Sequence, residues 1–251
     1  MSSRRDFIKK TALLSGSAFI SSSATIQDEV DGYDYDRPAF KKGTRILFQG
    51  DSITDMNRGR DESDRNHYLG HSYVYLIASR LHADLPETEM EFFNRGVSGH
   101  TVSDLKNRWK QDTTDLNPDL LSILVGTNDV YFGNTKEQFE EDYRFILKQS
   151  KEANPELDLV LMEPFVLQSG VLSEEGVYKE RRAMTDELRM KTAELAREFD
   201  ALFVPLQQIF DEAAEAVSPE HWVWDGIHPL PQGHELIARN WIEYVSKRWR
   251  R

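Results

Sequence analysis

The sequence of 251 residues contains no cysteine, which excludes disulfides, zinc–thiolate sites, iron–sulfur clusters and a catalytic thiol. Basic residues are few relative to acidic ones, 31 against 43, and the formal net charge is −12. A surface this acidic repels phosphate backbones and anionic membranes, so we expect no nucleic-acid partner. The hydrophobic content of 39% is that of an ordinary globular protein.

Long hydrophobic runs are also lacking. The apolar stretch Thr11–Ile20 is too short for a stable membrane anchor, and the paired Arg4 and Arg5 precede it. This segment resembles a bacterial twin-arginine signal, because it has a basic start, an apolar run and small residues at 22–24. We therefore expect residues 1–24 to be a signal peptide that directs export to the periplasm or the medium. A basic disordered tail is the alternative.

Residues 25–42 are acidic and have no periodic apolar face, which indicates a linker or an N-terminal arm. From residue 43 to residue 251 there is no repeat and no break in composition, so we expect one domain there. Short apolar runs predict strands at Ile46–Phe48, Met90–Phe93, Leu120–Val125, Leu159–Met162 and Leu202–Val204. Helical periodicity predicts helices at His71–His82, Val102–Asp112, Lys136–Glu152, Tyr178–Phe199, Gln207–Val217 and Gly233–Trp249.

Five strands separated by helices predict a parallel sheet, because parallel neighbours need a crossover connection. The expected fold class is α/β, a three-layer α/β/α sandwich. The carboxyl ends of parallel strands share one edge of the sheet, and polar or glycine-rich segments follow four of the predicted strands. These segments are Gly50-Asp51-Ser52, Asn94–Gly99, Gly126–Asp129 and Glu163–Phe165. The sequence therefore predicts a site at this edge.

Ser52 is the candidate nucleophile of that site. A serine hydroxyl becomes a good nucleophile when a base takes its proton, and the base works best when a third group orients it. Asp225 and His228, which lie three residues apart across a glycine, can supply this acid and this base. Pro229 stiffens the same loop.

An acyl-transfer site also needs hydrogen-bond donors for the developing oxyanion. The backbone N–H groups of Ser52 and Gly99 and the side-chain amide of Asn128 are the candidates. Each residue has an ordinary structural interpretation, such as a helix cap or a turn. Their joint occurrence at strand ends and before the last helix favours catalysis.

Four segments resemble the sequence blocks of the SGNH (GDSL) esterase/lipase superfamily: Gly50–Thr54, Asn94–Gly99, Gly126–Asp129 and Asp225–Pro229. The resemblance runs from about Arg45 to Trp249 and implies a flavodoxin-like sheet with a shallow, open site. It implies that Ser52 is the nucleophile, His228 the base and Asp225 its orienting acid, with Ser52, Gly99 and Asn128 as the oxyanion hole. It also implies that no metal or organic cofactor is needed.

Within the superfamily, the segments Gly50–Arg58, Gly96–Trp109 and Trp224–Ala238 are most similar to acetylxylan-esterase-like members that deacetylate carbohydrate. The implied partner is an acetylated carbohydrate or another small ester, and Arg58, His100 and Trp224 are candidate substrate-binding residues. Five aromatic residues either line the site or belong to the core: Tyr131, Phe132, Phe165, Trp222 and Trp224.

Two other functions remain open from the sequence. A lysophospholipase or thioesterase would use the same chemistry on longer acyl chains. A catalytically silent carbohydrate-binding module would keep the fold alone. The sequence also leaves open whether the protein forms a homo-oligomer.

Overall fold

The computed structural model describes residues 36–61 and 63–249. The expected signal peptide at 1–24 and most of the expected arm at 25–42 lie outside the described residues. From Asp36 onward the chain forms one compact unit. The described end of the expected arm is part of this unit, and the N–H of Ala39 donates to the carbonyl of Trp249 over 2.7 Å.

The sheet has five strands in the order β2-β1-β3-β4-β5. The strands are β1 (Arg45–Gly50), β2 (Glu91–Asn94), β3 (Leu120–Leu124), β4 (Asp158–Met162) and β5 (Leu202–Val204). Every neighbouring pair is parallel, with Leu47 opposite Phe93 on one side and Leu121 on the other. The predicted parallel α/β fold is therefore confirmed, and the predicted strand ends differ from the observed ones by one or two residues at most.

The helices that flank the sheet include all six predicted ones. In chain order they are α1 (Ser52–Asp55), α2 (Tyr73–Asp84), α3 (Val102–Asp112), α4 (Thr127–Phe132), α5 (Lys136–Ala153), α6 (Glu175–Glu198), α7 (Leu206–Ala216), α8 (Pro219–Trp222) and α9 (Pro231–Arg248). Single 3₁₀ turns lie at Pro86–Thr88, Thr114–Leu116 and Gly170–Leu172. The sequence missed α1, α4 and α8, because helices of one or two turns are too short to show a 3.6-residue period.

Three predicted helix starts differ from the observed ones by two or three residues, and one of these helices, predicted from Gly233, begins at Pro231. The helix predicted from His71 begins at Tyr73, because the Ser72 side chain accepts from the N–H of Val74 and caps the helix. The helix predicted from Tyr178 begins earlier, at Glu175. Gly176 lies in the first turn of this helix, where its N–H would have no intrahelical partner in any case.

The two faces of the sheet bury alternate residues of the strands. On one face, the Phe48 ring lies 5.9 Å from the Tyr73 ring of α2 and 5.3 Å from the Trp241 ring of α9. On the other face, Leu47 and Leu121 belong to a buried cluster with residues of α3, α5 and α6. In the part of the chain that the structure describes, no helix has the length and apolarity needed to cross a membrane.

The strand order places a topological switch between β1 and β3. From β1 the chain moves to one side of the sheet to form β2, and it then returns to the other side to form β3. The connections therefore diverge above the carboxyl ends of β1 and β3 and leave a crevice between them. Parallel α/β proteins bind ligands at such points, and here α1 and α4 follow these two strands.

Candidate active site

Ser52 lies at the first position of α1, directly beyond the end of β1. Strand β1 can turn into α1 because Gly50 has no side chain; a Cβ there would overlap Thr54 and the Leu124 carbonyl of the neighbouring strand. The carboxylate of Asp51 caps the helix, accepting from the N–H of Ile53 over 3.0 Å. The Ser52 side chain is thereby held at the switch point.

The three residues predicted to form a catalytic triad are in hydrogen-bond contact. The Oγ of Ser52 lies 2.8 Å from Nε2 of His228, 176 residues away in sequence. The other ring nitrogen, Nδ1, lies 2.6 Å from Oδ2 of Asp225. The second carboxylate oxygen, Oδ1, accepts from the backbone N–H groups of His228 at 2.7 Å and Ile227 at 3.0 Å. Asp225 is therefore oriented by the same loop that carries the imidazole.

That loop is closed by an isolated antiparallel bridge between Val223 and Pro229. Gly226 permits the turn, because its φ of +90° lies in a region that side chains disfavour and a Cβ there would overlap Leu172. The three-residue spacing of acid and base therefore folds back as the sequence predicted.

Electrostatics assign distinct states to the acid and the base. The hydrogen bond to Asp225 raises the pKa of His228 above its usual value. Burial alone would raise the pKa of Asp225, but hydrogen bonds from the His228 ring and from two backbone N–H groups hold it below the usual value. A charged carboxylate only accepts, so Nδ1 carries the proton and Nε2 presents its lone pair to Ser52.

Two further carboxyl groups lie behind the site in the core. Burial raises the pKa of Asp51 to about 7, although the N–H of Ile53 and the charge of His228 act against the shift. Burial likewise raises the pKa of Asp129, in α4, to about 6. Both groups therefore take up a proton at a higher pH than an ordinary aspartate does.

The three expected oxyanion donors lie in segments that follow β1, β2 and β3. The Asn128 side-chain amide donates to the His100 carbonyl over 3.0 Å and thus reaches the loop that carries Gly99. The N–H of Val97 donates to the Gly50 carbonyl over 3.0 Å and ties this loop to the end of β1. Gly99 has a φ of +84°. The site thus brings the segments of Ser52, Gly99 and Asn128 together at one edge.

Of the candidate substrate residues, Arg58 contacts the loop at 94–100, and His100 is the last residue of that loop. Arg58 Nε donates to the Gly96 carbonyl over 2.8 Å. Burial, together with nearby arginines, lowers the pKa of Arg58 to about 10, so the guanidinium stays charged at neutral pH. His100 Nδ1 accepts from Arg108 Nε over 3.1 Å. Burial and the Arg108 charge lower the His100 pKa, which keeps its imidazole neutral.

The aromatic residues divide between the surface and the core. Trp224, Tyr131 and Phe132 are 62%, 64% and 61% exposed. Trp224 directly precedes Asp225, and the other two end α4, the helix that carries Asn128. Phe165, in contrast, is fully buried and stacks on Phe210, with ring centroids 4.2 Å apart. Trp222 is half-buried, and its Nε1 donates to the Ala213 carbonyl over 3.1 Å.

Sequence reasoning missed one polar residue of this edge, Asp55. It lies one turn after Ser52, is buried, and accepts from Ser98 in the loop of Gly99. The sequence shows only an acidic residue with Arg60 five positions later, which indicates neither the burial of Asp55 nor its contact with Ser98. Among the described residues, no group of three or more His, Asp or Glu side chains has a metal-binding arrangement.

Comparison with known proteins gives consistent matches. The model of the GDSL-like Lipase/Acylhydrolase family matches residues 48–236. An acetylxylan esterase of Geobacillus stearothermophilus is 34% identical over 216 residues, which cover 82% of this chain and 96% of that protein.

Solved structures agree with these matches. A candidate GDSL-like lipase from Parabacteroides merdae superimposes with a TM-score of 0.78 at 37% identity, covering 84% of this chain and 99% of that one. Axe2, an acetylxylan esterase from Geobacillus stearothermophilus, superimposes with a TM-score of 0.73 at 31% identity, covering 84% and 98%.

Proposed function

Because the chain belongs to the GDSL-like Lipase/Acylhydrolase family and is a carboxylic-ester hydrolase, we propose that it removes O-acetyl groups from carbohydrate through an acyl-enzyme. The observation that carries the mechanism is the continuous hydrogen-bond chain from Asp225 through His228 to Ser52. The similarity to acetylxylan esterases supports the choice of acetyl group and substrate class.

In the first half-reaction, Ser52 Oγ attacks the ester carbonyl while Nε2 of His228 takes its proton. Asp225 stabilises the imidazolium that forms. The imidazolium then donates this proton to the departing sugar oxygen, and the acetyl group remains bonded to Ser52. In the second half-reaction, His228 takes a proton from the water that attacks the acetyl carbonyl. The tetrahedral intermediate then releases acetate as its bond to Ser52 Oγ breaks, and the imidazolium returns its proton to that oxygen.

The tetrahedral intermediates carry their negative charge on the former carbonyl oxygen. We assign the N–H groups of Ser52 and Gly99 and the amide of Asn128 as its donors, because they follow three adjacent strands. Preorganised donors of this kind contribute on the order of 3 kcal/mol each to transition-state stabilisation.

The sugar part of the substrate would contact the exposed rings beside the triad. Trp224, which precedes Asp225, and Tyr131 and Phe132, which follow Asn128 in α4, have exposed rings, and ring surface of this kind suits the apolar face of a pyranose. Arg58 and His100 would contact the substrate from the side of the Gly99 loop. The contacts described above do not involve the terminal nitrogens of Arg58 or Nε2 of His100, and these atoms can form hydrogen bonds with a substrate.

The test of the mechanism is Ser52→Ala, assayed with p-nitrophenyl acetate. We expect turnover to fall by a factor on the order of 10³ or more, because no other group can form the acyl-enzyme. Ser79→Ala, which alters an exposed serine of α2, is the matched control and should keep full activity. Turnover that persists in Ser52→Ala would exclude the proposal.

A chain-length series separates the deacetylase from a lysophospholipase or thioesterase. Acetate esters and acetylated xylo-oligosaccharides should be the better substrates, and a preference for acyl chains of C8 or longer would favour the alternative. A silent binding module would bind polysaccharide without reacting with an organophosphate probe.

Export is the other part of the proposal, and residues 1–24 carry it. Conversion of Arg4 and Arg5 to lysine should retain the protein in the cytoplasm of a bacterial host, because the twin-arginine pathway recognises this pair. Fractionation of the host measures the result. Equal export of the variant and the natural sequence would contradict the assignment.

A further inference from the structure

Asp55 has an unusual concentration of hydrogen-bond donors around one buried carboxylate. Its side chain is 4% exposed. Oδ1 accepts from Nη1 of Arg60 at 2.9 Å and from the N–H of Arg58 at 3.3 Å. Oδ2 accepts from Nη2 of Arg60 at 2.8 Å, and from the N–H and Oγ of Ser98 at 3.0 and 2.9 Å. One side chain thus joins the end of α1 to two loops.

The contact with Ser98 matters because Gly99 is the next residue. The N–H of Gly99 belongs to the peptide that Ser98 begins, so the orientation of Ser98 sets the direction of that N–H. Gly99 is exposed, and a Cβ built on it would have no heavy atom within 4 Å. Packing around Gly99 therefore does not hold this peptide in place, and its direction depends on the anchors on either side.

Asp55 is the side-chain anchor that precedes Gly99, beside the backbone bond from the Val97 N–H to the Gly50 carbonyl, and Asn128 is the side-chain anchor that follows it. Asn128 fixes the His100 carbonyl over 3.0 Å. On the preceding side, the loop also approaches α1 closely at Gly96, where a Cβ would overlap the backbone of Asp55. The Asp55 carboxylate therefore connects the helix that presents Ser52 to the peptide that presents the Gly99 N–H.

From this geometry we propose that Asp55 is a positioning residue for the esterase reaction, holding the Gly99 N–H at the distance from Ser52 that the oxyanion requires. The proposal rests on the proposed role of Gly99 in the oxyanion hole. Burial alone would raise the pKa of Asp55, but the hydrogen bonds from Arg60 and Ser98 hold it below the usual value. The anchor stays ionised at neutral pH.

The test is Asp55→Asn, with Asp142→Asn as its matched control. Asp142 is equally buried and is paired with Ser103 and Lys106, but it lies between α3 and α5, away from Ser52. With p-nitrophenyl acetate we expect Asp55→Asn to lower kcat 10- to 100-fold and to change KM less than threefold. Asp142→Asn should keep the natural kcat, whatever its effect on the melting temperature.

The inhibition constant of an alkyl boronic acid is a measurement that would not change if Asp55 affected stability alone. The boronic acid forms a tetrahedral adduct on the serine, and its oxygen requires the same donors as the transition state. In Asp55→Asn, its inhibition constant should rise by about the factor by which kcat/KM falls. An unchanged kcat or an unchanged inhibition constant in folded Asp55→Asn overturns the proposal.

A second variant covers the case in which Asp55→Asn does not fold. Ser98 is exposed, and Ser98→Ala removes the hydrogen bond from its hydroxyl to Asp55 while keeping the one from its N–H. We expect kcat to fall two- to fivefold with KM unchanged. An unchanged kcat would then decide against the proposal. Ser52→Ala is assayed in parallel. Its inactivity, combined with a fully active Asp55→Asn, would reject this inference and leave the esterase mechanism intact.

Discussion

At the scale of single residues, the proposed mechanism makes the His228–Asp225 pair the base and its orienting acid, so the pair sets the pH at which Ser52 becomes active. Asp225 raises the pKa of His228 through a bond of 2.6 Å. The neutral imidazole is the base, so kcat/KM should rise with pH through a pKa above the usual histidine value. Below that pKa the imidazole is protonated and cannot accept the proton of Ser52.

Asp225→Asn should therefore change both the rate and the pH profile. Without the carboxylate, the imidazolium loses its stabilisation, so the acid limb of kcat/KM should move to lower pH. The plateau should fall by a factor on the order of 10³, because the tautomer is no longer fixed. Stopped assays of kcat/KM from pH 5 to pH 9 measure both effects. An acid limb that stays in place would show that Asp225 does not set the base.

The pKa of Asp51 is raised, whereas that of Asp225 is lowered, and the raised pKa predicts an effect of pH on stability. The Asp51 pKa is raised to about 7 in the folded protein by burial, whereas the unfolded chain has the ordinary value near 3.8. The native state therefore keeps a proton that the unfolded state releases. Stability from this group is fully present below about pH 4 and is lost as the pH rises towards 7.

Asp51→Asn removes this pH dependence while keeping an oxygen that can accept from Ile53. The free energy of unfolding of the variant, relative to the natural protein, should increase by about 2–3 kcal/mol between pH 5 and pH 8. Urea titrations at both pH values measure it. Asp142→Asn should show no such gain, because hydrogen bonds from Lys106 and Ser103 overcome burial and lower the pKa of Asp142. If the difference in the free energy of unfolding between Asp51→Asn and the natural protein were the same at both pH values, the raised pKa of Asp51 would be contradicted.

At the scale of elements, the loops after the strands carry the site, and their glycines determine its shape. Gly99 and Gly43 form a matched pair, with φ of +84° and +77° and with open space where a Cβ would lie in both cases. Alanine at either position should lower the free energy of unfolding by about 1–2 kcal/mol, because the positive φ is strained. Only Gly99→Ala should also lower kcat, by about tenfold, since the strain displaces an oxyanion donor. Equal kcat values in the two variants would argue against the role of Gly99.

The elements themselves were largely predictable, and the helices that the sequence missed are the short ones. Runs such as Leu202–Val204 and the period of α5 are local signals, and they indicated strands and helices close to the observed ones. The short helices α1 and α4 are stabilised by position instead. The Asp51 cap and the glycine contact at the end of β1 hold α1, and neither produces a periodic pattern.

At the scale of the whole molecule, the strand order explains why distant motifs form one site. Parallel strands place the segments of Ser52, Gly99 and Asn128 at one edge, and the switch between β1 and β3 opens the crevice above them. The loop of Asp225 and His228 then reaches Ser52 across 176 residues of sequence. The acidic charge of −12 disfavours anionic partners and leaves neutral carbohydrate as a compatible ligand.

The fold class, the family and the five residues proposed for catalysis follow from the amino-acid sequence alone. They depend on signals within short segments, namely the alternation of apolar runs and the order of polar motifs behind them. Which aromatic rings are exposed required the folded structure, where Trp224 faces solvent and Phe165 is buried. The same is true of the anchoring of the Gly99 loop by Asp55 and of the raised pKa of Asp51. Burial and partner choice arise from contacts between distant segments, and no local pattern encodes them.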